Sequence, residues 1–456
     1  MLLLICHPSE MVKAFMVQKL SLVLFVFTFF TAHPARAEIT LYDQNSWQVK
    51  FGGFVELDTF YDTTRSFTEV VGAAPVARKG TLDGENGRTQ FSIRNTRLSV
   101  NVIAPEVSGW KSNGYIETDF LGYDPSVNSS GTSNSESGFY TSPSLRVRHA
   151  YVLTKKDDWN IIFGQTWNLF GWQPQYVLAT LSVNPVSGTL YQRSERIGVL
   201  RAIRFNDQQE LNAAISLQRP SQRDGKVPDL DFGIKFSDKD DVSGFSGATS
   251  TIIAQPMSIG VSGTFREFEI PSSGSVTQET DLPAFAIAVN TNIPILKSSD
   301  GKSVAHTLTA VGEFTAGRGY GDEFSNSGEV AQLNTSAGSS VNIDPGLGGY
   351  NANGGFELVK LMTWNTQLQY HLDGISFFTV GYSNLWASNA GDFIGGAGET
   401  NTKIYDRLES KFVNFVHDFS AQIRVGIEFD QFTTHYALDQ SVNHDNRYLM
   451  ASYFRF

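Results

Sequence analysis

The stretch Asn446-Arg-Tyr-Leu-Met-Ala-Ser-Tyr-Phe-Arg-Phe456 reads as a β-strand with two unlike faces. Tyr448, Met450, Phe454 and Phe456 share one face, interrupted only by Ser452, while Arg447 and Arg455 fall on the other. Aromatic residues at both ends of an apolar stripe suit the two interfaces of a bilayer, with the opposite face turned to water. The pattern recurs upstream. Leu211, Ala213, Ile215 and Leu217 alternate with Asn212, Ser216 and Gln218. Leu230, Phe232, Ile234 and Phe236 alternate with Asp231, Gly233, Lys235 and Ser237, and Ala421, Ile423, Val425, Ile427 and Phe429 do so with Gln422, Arg424, Glu428 and Asp430.

No stretch after Phe30 approaches the ~18 uninterrupted apolar residues that a membrane-spanning helix needs. Strands can span a bilayer only as a closed barrel, because an open edge would leave backbone groups unpaired in hydrocarbon. The N-terminus has the parts of a secretory signal: Lys13 and Lys19, the apolar run Leu20 to Phe30, and Ala35-Arg36-Ala37 as a cleavage site. The expected division is therefore a signal peptide over 1–37 and a barrel over 38–456. Cys6 is the sole cysteine and lies in the segment to be removed, which excludes a disulfide framework. With 35 basic and 46 acidic residues the chain is acidic, which argues against a nucleic-acid partner.

Carried along the whole chain, the alternation predicts an all-β, transmembrane antiparallel barrel of about sixteen strands. They start near Trp47, Arg88, Trp110, Ser144, Trp159, Ser194, Leu211, Leu230, Met257, Pro283, Val304, Phe356, Ile375, Lys403, Ala421 and Asn446. Outer-membrane barrels alternate short periplasmic turns with long external loops. The expected external loops are Thr63 to Gly87, Leu121 to Pro143, Asn168 to Arg193, Arg219 to Asp229, Glu269 to Leu282, Gly317 to Gly355, Ala387 to Thr402 and Gln431 to His444. Short turns fall at Lys155 to Asp158, Asn206 to Gln209 and His371 to Gly374. Asp238 to Pro256 breaks the rule, being long where a tight turn belongs, and so suggests a concealed hairpin or strand extension. The Gly/Ser/Asn-rich stretch Gly317 to Gly355 reads as solvated loop.

A strand ending on a C-terminal phenylalanine, with Tyr448 and Phe454 at alternate positions before Phe456, resembles the signal recognised by the outer-membrane barrel assembly machinery. Phe51-Gly-Gly-Phe-Val-Glu-Leu-Asp58, Phe91-Ser-Ile-Arg-Asn-Thr-Arg-Leu98, Arg146-Val-Arg-His-Ala-Tyr151 and Gly164-Gln-Thr-Trp167 together resemble the N-terminal half of DcaP-like trimeric porins. The resemblance covers roughly residues 47 to 205; the rest matches as generic barrel. It implies a homotrimer in the outer membrane of a Gram-negative cell, surrounded by lipid and passing small hydrophilic solutes. Only Glu38 to Ser46 would precede the first strand.

Charges on the inner wall of such a barrel act across a narrow water path with low-dielectric walls. Strand parity places Glu56 and Asp58 inward on the first strand, and Glu117 and Asp119 on the third. On the second, Phe91 and Ile93 have opposite parity to Leu98 and Val100, so a bulge near Asn95 would let both Arg94 and Arg97 face inward. Arg146 and Arg148 follow on the fourth strand, Arg196 and Arg204 on the sixth, and Arg424 near the end. Arg201 then shares the outward side with Ile197, Val199 and Ile203, a conflict that parity leaves open. These arginines form either a ladder that draws small anions such as carboxylates, or braces for the acidic residues on flanking strands.

The third external loop, Asn168 to Arg193, is uncharged between Asn168 and Gln192 and carries Phe170, Trp172, Tyr176 and Tyr191. A loop so apolar belongs inside the barrel, as a constriction, or against a neighbouring subunit.

Catalytic, cofactor and metal motifs are not found. The eight histidines form no H-x-x-x-H pair, and neither a G-x-S-x-G elbow nor a phosphate loop is present. By parity His149 faces outward, near an interface or subunit contact. Asp238-Lys239-Asp240-Asp241 reads as a solvated charge run. The expectation is a non-enzymatic diffusion channel with a preference for small anions. Its rivals are a surface-binding, adhesin-type barrel with a closed lumen and an outer-membrane hydrolase.

Overall fold

A computed structural model describes residues 38–456 except 71–74, 123–143, 184–185, 272–278, 325–329, 331–342, 345 and 397–399. The expected signal peptide over 1–37 and most of the Leu121 to Pro143 loop lie outside the described residues.

Alternation becomes strand almost everywhere. The strands are β1 (Glu38–Gln44), β2 (Trp47–Asp62), β3 (Arg88–Ser92), β4 (Arg97–Ile103), β5 (Lys111–Gly122), β6 (Ser144–Lys156), β7 (Trp159–Trp167), β8 (Arg193–Arg204), β9 (Gln209–Gln218) and β10 (Asp229–Phe245). They continue with β11 (Ile253–Pro271), β12 (Glu279–Leu296), β13 (Leu308–Arg318), β14 (Gly348–Tyr350), β15 (Phe356–Leu358), β16 (Lys360–His371), β17 (Ser376–Ala387), β18 (Tyr405–Asp418), β19 (Ile423–Tyr436) and β20 (Val442–Arg455). One sheet holds 18 of them, and β14–β15 is a separate small hairpin.

Every neighbour in the main sheet is antiparallel, and β20 returns to pair with β2 from Phe54↔Arg455 to Asp62↔Arg447. The sheet is therefore closed. β3 and β4 both pair with β2 and count as one interrupted wall strand, while β1 is an added one, so the wall has 18 − 2 = 16 strands. The interruption is the turn Ile93 to Thr96, closed by Thr96 N–H donating to Ile93 O at 3.0 Å. It reverses the parity between Phe91 and Leu98.

β1 departs from the sequence reading, which left Glu38 to Ser46 outside the sheet. It pairs with β2 from Glu38↔Gly52 to Gln44↔Trp47, on the same edge of β2 that β20 uses higher up. The two meet at Gly53, whose amide donates to Phe456 O at 2.9 Å and whose carbonyl accepts from Phe456 N–H at 3.1 Å. Gly53 has φ +147°, and a β-carbon there would come within 2.2 Å of Arg97 O, so the seam needs glycine at this point.

Inside and outside separate cleanly. On β2, Val55 and Leu57 are about half exposed on the outer surface, whereas Glu56 and Asp58 are buried on the inner one. Tyr448, Phe454, Phe232, Ile234, Ile215 and Leu217 likewise face out. The inner surfaces carry Ser, Thr, Asn and Gln, among them Ser258, Ser262, Thr363, Asn365, Gln367 and Asn414.

Strands overrun several predicted loops. β19 and β20 leave only 437–441 of the Gln431 to His444 loop, since cross-strand backbone bonds continue after the apolar stripe ends. Of the described parts of Gly317 to Gly355, only 352–355 are an exposed turn; the rest is not solvated loop. Tyr320, Phe324 and Leu347 are buried, and Leu190 pairs with Phe324 in an isolated bridge.

The long connection at Asp238 to Pro256 is strand extension. After a shift between Asp238 and Val242, pairing resumes from Val242↔Pro256 to Phe245↔Ile253, leaving 246–252 as the tip.

Candidate functional site

The segment between β7 and β8, hereafter loop 3, crosses the barrel interior. Its first turn, Phe170 to Trp172, is anchored to β10 and β11: Phe170 N–H donates to Asp231 Oδ2 at 3.0 Å and Gly171 N–H to Ser262 Oγ at 2.8 Å. Trp172 lies over Gly260 and Gly233, where β-carbons would come within 2.7 and 3.1 Å of its ring. Tyr176 OH and Ser258 Oγ are 2.9 Å apart. The loop then reaches the opposite wall. Ala179 N–H donates to Gln367 on β16 at 2.7 Å, and Leu181 N–H donates to Glu428 on β19 at 2.8 Å. On its return, Asn365 Nδ2 donates to Gly188 O at 2.6 Å and Leu190 N–H to Glu313 at 3.1 Å. Phe170, Trp172 and Tyr176 are thus buried within the barrel.

Beneath loop 3 lies a chamber of ≈ 660 Å³, bordered on β4 to β7 by Arg97, Glu117, Arg148, His149 and Trp167, with Tyr191 of loop 3. Arg146 grips Asp119 with two bonds, 3.0 and 2.6 Å, and Arg148 donates to Glu117 at 2.6 Å and Asp119 at 3.2 Å. Bidentate guanidinium–carboxylate pairs are both strong and geometrically specific. Bracing accounts for these two arginines.

The register explains why His149 joins them. Glu117 pairs with His149 but Thr118 with Val147, so Arg148 is an extra residue on β6. That bulge turns both Arg148 and His149 inward and corrects the expectation of an outward His149. Its Nδ1 lies 3.1 Å from Thr166 Oγ1, and its ring is 5.5 Å from that of Trp167.

Arg193, the last residue of the predicted loop, completes the cluster and was not singled out by sequence. Its guanidinium lies 4.6 Å from the Trp167 ring and 5.3 Å from that of Tyr191, within cation–π range. Arg97 stacks on Phe54 at 5.3 Å and donates to Asn95 at 3.2 Å; Arg196 donates to Ser216 at 3.4 Å. Arg97 Nε, Arg193 Nη1 and Arg196 Nε are buried with no hydrogen-bond partner among the described residues. The chamber is thus lined by the guanidiniums of Arg97 and Arg148 and the carboxylate of Glu117, and the cluster extends through Asp119 to Arg146 and through the Trp167 and Tyr191 rings to Arg193. Burial raises the Tyr191 phenol, but Arg148, Arg97 and Arg193 outweigh it and bring the group down to about 7.

The other expected wall residues sit elsewhere. Arg94 points inward but pairs with Glu69 at 2.6 Å, away from the chamber. Glu56 and Asp58 are inward and fully buried, with Asn95 donating to Glu56 at 2.8 Å. Arg204 is corrected to the turn-end rim: as the last residue of β8 it is more than half exposed and pairs with Asp158 and Glu210. Arg201 does share the outward side, where it lies 5.2 Å from the Trp159 ring near the same rim, so the parity conflict falls at a strand end. Arg424 faces inward but is wholly buried. It is bound to Asp418 at 2.6 and 2.9 Å and to the tip of the β10–β11 hairpin.

Comparison with protein-family models gives no match, and neither does comparison with curated proteins. Solved structures do match. The outer membrane channel DcaP of Acinetobacter baumannii superposes with a TM-score of 0.60 at 16% identity, covering 94% of this chain and 100% of that one. An anion-selective porin from Comamonas acidovorans superposes with a TM-score of 0.50 at 10% identity, covering 90% of this chain and 100% of that one. The fold is that of a DcaP-like porin.

Proposed function

We propose that the protein is an outer-membrane porin, a water-filled channel for passive diffusion of small hydrophilic solutes with a preference for small anions such as carboxylates. The observation that carries this reading is the chamber wall, where Arg97 and Arg148 stand against one carboxylate, Glu117, and Arg97 Nε and the nearby Arg193 Nη1 are buried without a hydrogen-bond partner among the described residues. Fixed positive charge in a narrow water path with low-dielectric surroundings raises the local concentration of anions. The outward apolar stripes suit a bilayer, and on this reading the long-loop end is external and the short-turn end periplasmic. Membership of a homotrimer, export by a cleaved signal over 1–37 and uptake by the barrel assembly machinery through Tyr448, Phe454 and Phe456 belong to the same proposal. The DcaP structure is of a channel and the Comamonas porin is anion-selective, in keeping with this reading.

A second reading, a surface-binding barrel with a closed lumen, is favoured by one observation: two separate segments, loop 3 and the β10–β11 hairpin, cross the interior. Proteoliposome swelling separates the two. A channel admits a small monocarboxylate faster than an uncharged sugar of similar size; no swelling with either solute overturns the channel.

A further inference from the structure

The connection between β10 and β11 sits at the turn end of the barrel, where connections such as 205–208 and 372–374 are exposed. It turns inward instead. At its root Ser243 Oγ lies 2.6 Å from Thr309 Oγ1, and Gly244 N–H donates to Thr307 Oγ1 at 2.8 Å. Gly244 makes room: a β-carbon there would come within 2.6 Å of the His371 ring. Farther out, Ser246 exchanges two bonds with Gln369 on β16, at 2.8 and 2.9 Å.

Counting from β2, β10 and β11 are the eighth and ninth strands of the sixteen-strand wall, and β19 and β20 the fifteenth and sixteenth. The tip therefore crosses the barrel. There one nitrogen of Arg424 donates to the carbonyls of Gly247, Ala248 and Ser250 at 3.0, 2.9 and 2.7 Å, and Asp418 holds the other side of the guanidinium. Arginine suits this because its planar fork serves carboxylate and carbonyls at once. Ala248 and Ile252 pack against a cluster that includes Phe54, Phe377 and Tyr453.

Thr249 and Thr251 border two cavities. One is the chamber under loop 3; the other is a recess of ≈ 400 Å³ at the seam, lined by Gly52, Gly53, Ala421 and Phe456. The hairpin tip is the partition between them.

We propose that this hairpin is a second constriction, the floor of the pore on its periplasmic side, and that Arg424 is the latch that holds it across the lumen. It rests on the channel reading above. Loop 3 then narrows the path from one side and residues 246–252 from the other, with the cationic chamber between. Arg424 is withdrawn from solute binding and acts as a positioning residue.

Single-channel recording tests this. Arg424→Ala, checked for folding by its heat-dependent gel mobility, is expected to raise unitary conductance by about twofold or more as the floor loosens. Adding Ser243→Cys with Thr309→Cys in a Cys6→Ser background, then oxidising, returns it to the wild-type level, and reductant raises it again. Thr249→Cys on the native Arg424 background gives a measurement that needs no loosened hairpin: a bulky thiol reagent cuts conductance. Equal conductance of Arg424→Ala and wild type, or an unaltered current after labelling Thr249→Cys, overturns the floor while leaving the channel standing. Silence of every variant and of wild type overturns the channel reading and the floor with it.

Discussion

Glu428 on β19 accepts the Thr180 hydroxyl at 2.5 Å and the Leu181 amide at 2.8 Å, so one buried carboxylate holds the tip of loop 3 against the far wall. Asn414 donates to the same carboxylate at 2.8 Å, and Leu181 lies on Gly426, where a β-carbon would come within 2.6 Å of its side chain. Glu428→Ala removes the acceptor and leaves these donors buried without a partner, a cost of about 1–3 kcal/mol for each unsatisfied group. Unitary conductance is expected to rise and become noisier. A quiet channel of unchanged size contradicts the constriction.

Arg97 and Arg193 are the cations of the chamber cluster with a guanidinium nitrogen, Nε and Nη1 respectively, buried without a hydrogen-bond partner among the described residues. Arg97→Gln with Arg193→Gln should lower anion preference, read as a shift of the reversal potential in a KCl gradient toward the cation side. Arg146→Gln should do less, because its charge is already matched by Asp119 at 2.6 Å. An equal effect from both changes contradicts the distinction between bracing and surplus charge.

Tyr191 gives a pH signature. Its phenol, lowered to about 7 against burial by Arg148, Arg97 and Arg193, is neutral in acid and anionic above that value. Raising the pH adds one negative charge to the cluster, so anion selectivity falls between about pH 6 and 8. Tyr191→Phe should flatten that dependence. Persistence of the full pH effect in Tyr191→Phe assigns it to another group.

Arg447 and Asp62 lock the seam strands from within, bonding at 2.6 and 2.8 Å with both residues buried. Asp62→Ala removes the bidentate acceptor and leaves the guanidinium only the Thr68 and Glu69 carbonyls, at a cost of about 1–3 kcal/mol. The expected result is a lower temperature for the loss of heat-dependent gel mobility. Asp62→Asn keeps a hydrogen-bond acceptor and should fall between the two.

The barrel was legible because burial in a wall with lipid on one side and water on the other writes itself as period-two alternation. Leu211 to Leu217, broken only by Ala214 on the inner face, and Leu230 to Phe236 carry it, and both became strands on the expected faces. The interior segments were harder, for a physical reason. Residues 246–252 touch polar wall on several sides, so they need small side chains and backbone donors rather than any period, and read only as an anomalous connection. Loop 3 announced itself by apolar composition. Bulges defeat parity: nothing in Arg146-Val-Arg-His marks Arg148 as the extra residue that brings His149 inward, whereas conflicting stripes around Asn95 did mark the break between β3 and β4. Arg424 and Arg204 share inward parity, but parity carries no information about depth or about what reaches a side chain from across the barrel.

The central claim is that this closed barrel conducts, and prefers anions because of its chamber wall. Its most direct test is a recording of the purified protein in a planar bilayer across a KCl gradient. The account predicts stable ohmic steps with a reversal potential on the chloride side. Steps that reverse on the potassium side contradict the cationic chamber, and a silent bilayer contradicts the channel.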